Sequence, residues 1–220
     1  MALLGAALAA WAVTVVRMRG MDAGPGTDLG GFGWYLGVWV TMTAAMMLPS
    51  AAPMVLLFAS VARERAPRVS PLIFVGAYLA VWTAYGLAAY ALARGVRALD
   101  LGFGRQLAGA AIVAAGVYEL TPLKTTCLRH CRGPARFILG GWRDGVGGAL
   151  RMGAEHGAYC VGCCLGLMLV LFALGVMSVF WMAVVAGLIA AQKLLPFGER
   201  VVGPLAIALV AGGFVLVLIG

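Results

Sequence analysis

Long apolar runs alternate with short polar punctuation along almost the whole chain. Residues 2–16 are apolar and are followed by Arg17 and Arg19. This run has the length of a signal-peptide core, but no positive segment precedes it and no small-residue cleavage site follows closely. It reads as a short first transmembrane helix. Residues 22–31 are rich in Gly, Pro and Asp and predict a loop. Residues 32–62 carry no charge over 31 positions. About 20 residues suffice to cross the hydrocarbon, so this helix is tilted, kinked or extends beyond it. Pro49 and Pro53 are the expected kink, since each removes a helix donor. A basic loop at 63–71 leads to a clean span at 72–93, closed by Arg94 and Arg97. Residues 106–123 form another, with Glu119 near its end and Pro122 just after it.

The segment 124–156 is basic and glycine-rich, too polar to span, and reads as a loop. Residues 157–191 again lack charge over 35 positions. That is too long for one span, so the run is divided near 175–178 into a tight hairpin of two helices. Residues 193–203 predict a turn, and 204–220 a last helix. The expected fold is an all-α, polytopic integral membrane bundle of about seven transmembrane helices. It forms one domain over 1–220, with a Cys/His-containing loop at 124–156.

Composition supports the membrane class. Hydrophobic residues make up 63% and charged residues 11% of the chain, against about 45–50% and about 25% in soluble domains. The mean hydropathy is +1.00. The net charge of +8 does not imply a nucleic-acid partner, because the basic residues fall between apolar runs. That pattern belongs to loops facing anionic head groups, so the partner it implies is the lipid bilayer. With the N-terminus inside, inside loops hold eleven basic residues and outside loops five. The bias predicts N-in and C-out, with the Cys/His loop on the cytoplasmic face.

The chemistry is concentrated between Glu119 and Met168, which hold all five cysteines and both histidines. An odd cysteine number without paired spacing argues against a disulfide scaffold. Cys127 and Cys131 lie four apart, on one face of a helix, with His130 beside the second. They can grip one ion, or they can be small packing residues. The polar, basic surroundings, with Lys124, Arg129 and Arg132 near, favour thiolate and ligation. His156, Cys160, Cys163 and Cys164 fall along one helical stripe that Met168 continues. Such a set suits Cu(I), with zinc as the alternative ion. Close helix packing is the competing reading, because Gly157, Gly162 and Gly166 are interspersed.

Met42, Met46 and Met47 offer thioethers that can also coordinate Cu(I), although methionine is commonly a core filler. Glu119 is the acid embedded near a helix end. It is a hard ligand, a proton acceptor for a thiol, or the partner of Lys124. Glu155 can orient His156 or remain a solvated charge.

Four blocks then carry a resemblance: WVTMTAAMMLPS (39–50), AAGVYELTPLKTTCLRHC (114–131), GWRDGVGGALRMGAEHGAYCVGCC (141–164) and GVMSVFWMA (175–183). Together they resemble the predicted metal-binding integral membrane protein family of bacteria, over about residues 34 to 198. That family includes a membrane copper chaperone that helps a tyrosinase-like polyphenol oxidase acquire copper. The resemblance implies a bacterial inner-membrane, multi-pass location and copper binding or delivery to a cuproenzyme or other copper carrier. It implies Cys127, His130, Cys131, His156, Cys160, Cys163 and Cys164 as ligands, with Met42, Met46 and Met47 as further candidates; Glu119 is a candidate ligand from its own embedded position. Two positions depart from the family's pattern: Gln192 stands where an acid is common, and Leu165 where an aromatic is common.

The leading expectation is therefore a copper-handling membrane protein rather than an enzyme. Two other classes remain: a membrane thiol–disulfide oxidoreductase using Cys160/Cys163 and Cys127/Cys131, and an assembly subunit of a larger complex. Haem ligation by His130 and His156 is unforced. Oxidoreductase chemistry belongs to oxidising compartments, which the expected cytoplasmic sidedness disfavours.

Overall fold

The computed structural model describes residues 2–19, 30–98, 104–176 and 178–219. The loop expected at 22–31 lies for the most part outside them. The described residues form nine helices and no strand: α1 (Ala2–Met18), α2 (Phe32–Arg65), α3 (Ser70–Ala98), α4 (Gly104–Glu119), α5 (Pro122–Arg132), α6 (Pro134–Gly140), α7 (Gly145–Leu174), α8 (Val179–Leu194) and α9 (Gly198–Ile219). Helix is the expected solution, since lipid offers the backbone no hydrogen-bond partner.

Four helices are long and apolar enough to cross a membrane: Phe32–Arg65, Ser70–Val96, Gly145–Leu174 and Gly198–Ile219. A fifth crossing would be the pair Gly104–Glu119 and Pro122–Arg132, bent by 65°. Leu3–Met18 and Val179–Leu194 are shorter apolar helices. The seven expected spans thus each correspond to a helix, although the number that cross is approximate.

The segment expected as a loop at 124–156 is mostly helical, built of α5, α6 and the start of α7. Local chemistry explains the breaks. Pro122 has no donor to continue α4, and the Thr121 hydroxyl caps α5 by accepting from the Lys124 amide at 3.3 Å. Gly133 and Pro134 separate α5 from α6. The expected break near 175–178 is present, between Leu174 at the end of α7 and Val179 at the start of α8; Met177 lies outside the described residues. Gly175 opens the break with φ of 115°, a conformation that favours glycine. Ser178 then caps α8 by accepting from the Trp181 amide. The expected turn at 193–203 begins too early. Lys193 is still in α8, and α9 already starts at Gly198.

Helix α7 is the centre of the bundle and packs against α3, α4, α5 and α8. Its buried face includes Ala149, Met152, His156, Cys160, Cys163, Cys164, Leu167, Met168 and Leu171. Those spacings of three and four residues are one helical stripe. Helices approach closely where glycine removes the side chain. A Cβ on Gly153 would meet the backbone of Phe74 in α3, and one on Gly162 would lie 2.6 Å from Cys127 Sγ in α5. The α4–α9 contact uses the same device. A Cβ on Gly116 would lie 2.7 Å from Val210 Cγ2 and 2.9 Å from the Ala206 carbonyl oxygen.

Gly116→Leu should therefore destabilise the protein by about 1–3 kcal/mol through overpacking. Thermal unfolding in detergent would show a lowered midpoint. Gly187→Leu, at a position with nothing within 4 Å of the added atom, should leave the midpoint near wild type. Equal midpoints in both variants would refute tight α4–α9 packing.

Candidate metal centre

Helices α5 and α7 bring four thiols together. The sulfurs of Cys160, Cys163 and Cys164 all lie within 4.8 Å of one another, and all three residues are buried. Cys163 Sγ is 3.6 Å from Cys164 Sγ. From α5, Cys131 Sγ comes within 3.5 Å of Cys163 Sγ. These separations far exceed a sulfur–sulfur bond of about 2.05 Å, so the cysteines are free thiols. They suit a shared ion. With metal–thiolate bonds of about 2.3 Å, two sulfurs on one ion lie no more than about 4.6 Å apart. Cys131 is partly exposed, whereas Cys160, Cys163 and Cys164 are fully buried.

Two residues that sequence reasoning did not single out complete the cluster. The Lys193 ammonium, at the end of α8, donates to Cys160 Sγ at 2.9 Å and lies 3.5 Å from Ser50 Oγ of α2. The Tyr78 hydroxyl, on α3, is 3.0 Å from the same sulfur. Cys160 is thus held by two polar groups from two other helices. Lys193 looked like a turn residue because it follows an apolar run, and Tyr78 looked like one aromatic among several in a span. The signal available for Lys193 was that it closes an uncharged helix, where the first basic residue can point back inward.

His156, one turn before Cys160, is not among the residues whose ligand atoms converge within 4.8 Å; it is buried among aromatic rings. Its ring stacks on Phe74 at 6.1 Å and on Tyr78 at 5.5 Å, with Phe137 at 5.8 Å. Neither ring nitrogen has a hydrogen-bond partner. A buried polar group without a partner costs about 1–3 kcal/mol, so this imidazole is kept for something other than stability.

The remaining candidates stand apart from the sulfurs. His130 is exposed; its Nδ1 is 2.8 Å from the Thr126 carbonyl oxygen, and its ring stacks on Tyr159 at 4.2 Å. Cys127 is buried against Gly162. Met42, Met46 and Met47 are buried on α2. Ser50, on the same helix, donates to the Met47 backbone carbonyl at 3.0 Å. Glu155 sits at the surface with Arg143 and Arg151, where it forms ion pairs of 3.3 and 3.0 Å.

Glu119 belongs to a second buried network. Lys124 Nζ donates to Glu119 Oε1 and to Gln192 Oε1, both at 2.8 Å, and to the Cys163 carbonyl. Gln192 Nε2 donates to Glu119 Oε2 at 3.0 Å. Of the three roles open to Glu119, the structure shows the pairing with Lys124. The ammonium reaches the backbone of Cys163, so this pair fixes α7 directly beneath the sulfurs. Arg132 secures the other side. Its guanidinium donates to the carbonyls of Gln192, Leu195 and Pro196, and so ties the end of α5 to the end of α8.

Removing one member of a buried pair leaves an uncompensated charge and costs about 3–5 kcal/mol. Lys124→Met should lower the unfolding midpoint strongly, and the double variant Glu119→Gln/Lys124→Met should recover part of the loss. An unchanged midpoint in Lys124→Met, measured in detergent, would show the pair to be expendable.

Comparison with known proteins agrees with this geometry. A family described as "PpoB2: Copper chaperone" matches residues 36–216. No curated protein and no solved structure matches the chain.

Proposed function

Since the chain belongs to the PpoB2 copper chaperone family, we propose that it is a multi-pass protein of the bacterial inner membrane that holds Cu(I) and delivers it to a partner cuproenzyme or other copper carrier. One observation carries this reading: three buried cysteine sulfurs converge within 4.8 Å. Thiolates select Cu(I), zinc or iron–sulfur centres among common ions. Membership of the copper chaperone family supports copper among these, and free thiols suit the monovalent ion.

In this proposal Cys160, Cys163 and Cys164 hold the ion, and Cys131 completes or exchanges the set. His156 lies outside that converging group and is the imidazole that can join it, since a metal ion would give its nitrogens the partner they lack. Cys131 is the member of the cluster that is not fully buried, so ligand exchange with a partner begins there. His130 stands exposed beside it and extends the path outward. Met42, Met46 and Met47 remain buried soft donors on α2. Glu119 acts through Lys124 to place the Cys163 backbone, not as a ligand. A low coordination number and exchangeable soft ligands allow transfer without ATP.

The sidedness follows the basic bias. Lys124 and Lys193 are buried and so drop out of the loop charges, but the excess remains on the same face. The cluster then lies toward the cytoplasm.

Copper content of the purified protein tests the reading, with X-ray absorption to fix the ligands. Wild type should hold Cu(I) near one per chain with mainly sulfur around it. Cys160→Ser/Cys163→Ser/Cys164→Ser should lose it. Equal, trace copper in both would overturn the proposal, and a loaded zinc ion in sulfur would reassign the cargo.

A further inference from the structure

Lys193 presents an electrostatic problem that copper binding alone does not resolve. It is buried on α8. Among the described residues no carboxylate pairs with it. Glu119, the acid buried in this bundle, is committed to Lys124 and Gln192. An ammonium buried without an anion is strongly disfavoured. The anionic group within reach is sulfur: Cys160 Sγ at 2.9 Å, with Cys163, Cys164 and Cys131 also in Coulombic range.

We propose that Lys193 is the charge filter of the site, favouring a monovalent cation on the cysteine cluster over a divalent one. This rests on the metal-binding reading given above. An ion bound to Cys160 Sγ through a bond of about 2.3 Å would sit no more than about 5 Å from the ammonium. Coulomb repulsion grows with ionic charge, so a divalent ion meets twice the repulsion of a monovalent one at the same position. Salt does not screen this in a dry interior. Lys193 acts on the bound ion through space and through Cys160, so it is a positioning and specificity residue rather than a ligand.

The test is competition between Cu(I) and Cd(II) for purified protein in detergent. Wild type should prefer Cu(I) over Cd(II) by a larger factor than dithiothreitol does, since that reagent offers thiolates without a fixed cation. In Lys193→Met and Lys193→Gln the ratio of Cu(I) to Cd(II) affinity should fall by about tenfold to a hundredfold. Lys193→Arg should retain it. A merely structural lysine would weaken both ions alike, and an unchanged ratio in either neutral variant overturns the proposal. A wild-type ratio no greater than that of dithiothreitol overturns it without any variant. Wild type that takes up neither ion rejects the metal-binding reading itself, which separates the two failures.

Discussion

A buried ammonium without a carboxylate must find its negative charge elsewhere, and in this protein it finds sulfur. The 2.9 Å contact from Lys193 to Cys160 is the point at which four helices meet. Lys193 comes from α8, Cys160 from α7, Tyr78 from α3 and Ser50 from α2. Each contributes one polar atom to this point in the interior. Polar groups there are high-stakes, because a missing partner is not replaced by water. The arrangement therefore fixes helix register around Cys160 as well as its charge. A second ammonium, Lys124, is treated differently. It is neutralised by Glu119 at 2.8 Å, with both side chains fully buried, and so contributes order but no net field. The two lysines divide the work: one holds the backbone under the sulfurs, and the other sets the electrostatics above them.

Close packing makes that convergence reachable. Sulfurs from α5 and α7 can approach 3.5 Å only if the two helices come unusually near. Gly162 provides the space by letting Cys127 settle onto the α7 surface. Gly153 and Gly157 do the same for α3, and Gly166 for α4. In lipid there is no hydrophobic drive to press helices together, so small residues and interhelical hydrogen bonds carry association. Close packing and ligation competed as explanations of the glycine–cysteine mixture in the sequence. The two are compatible, because the glycines are what bring the cysteines into range of one another.

Much of this was legible from the chain. The apolar runs gave the helices, because a span needs a length of uninterrupted hydrocarbon contact. The spacing of His156, Cys160, Cys163 and Cys164 gave their common face, because helical periodicity is local. The 175–178 break was legible from length alone. The basic segment at 124–156 was misjudged: charge excluded a span, but it does not exclude short helices capped by Thr121 and broken at Gly133 and Pro134. The pairing of Cys131 with Cys163, rather than with Cys127, depends on how α5 folds back after a 65° bend. Tertiary geometry of that kind leaves no periodic trace. Lys193 was hidden for a related reason. Polarity placed it at an interface, whereas the partner that draws it inward lies 33 positions away in sequence.

The site is also asymmetric, and the asymmetry suits the proposed release of a bound ion. Its inner wall is closed by Cys160, Cys163, Cys164, Tyr78 and Lys193. Its outer edge is α5, where Cys131 is partly exposed and His130 is exposed. Helix α5 is short, and Arg132 latches its end to the carbonyls that close α8. Those carbonyls follow Lys193 by only two or three residues. Movement of α5 would thus withdraw Cys131 from the cluster and loosen the end of the helix that carries the ammonium. A ligand and its counter-charge would shift together, without disturbing α7. A bound ion would then keep its deepest sulfurs while its outermost one changed partner, which is the order of events that ligand exchange requires.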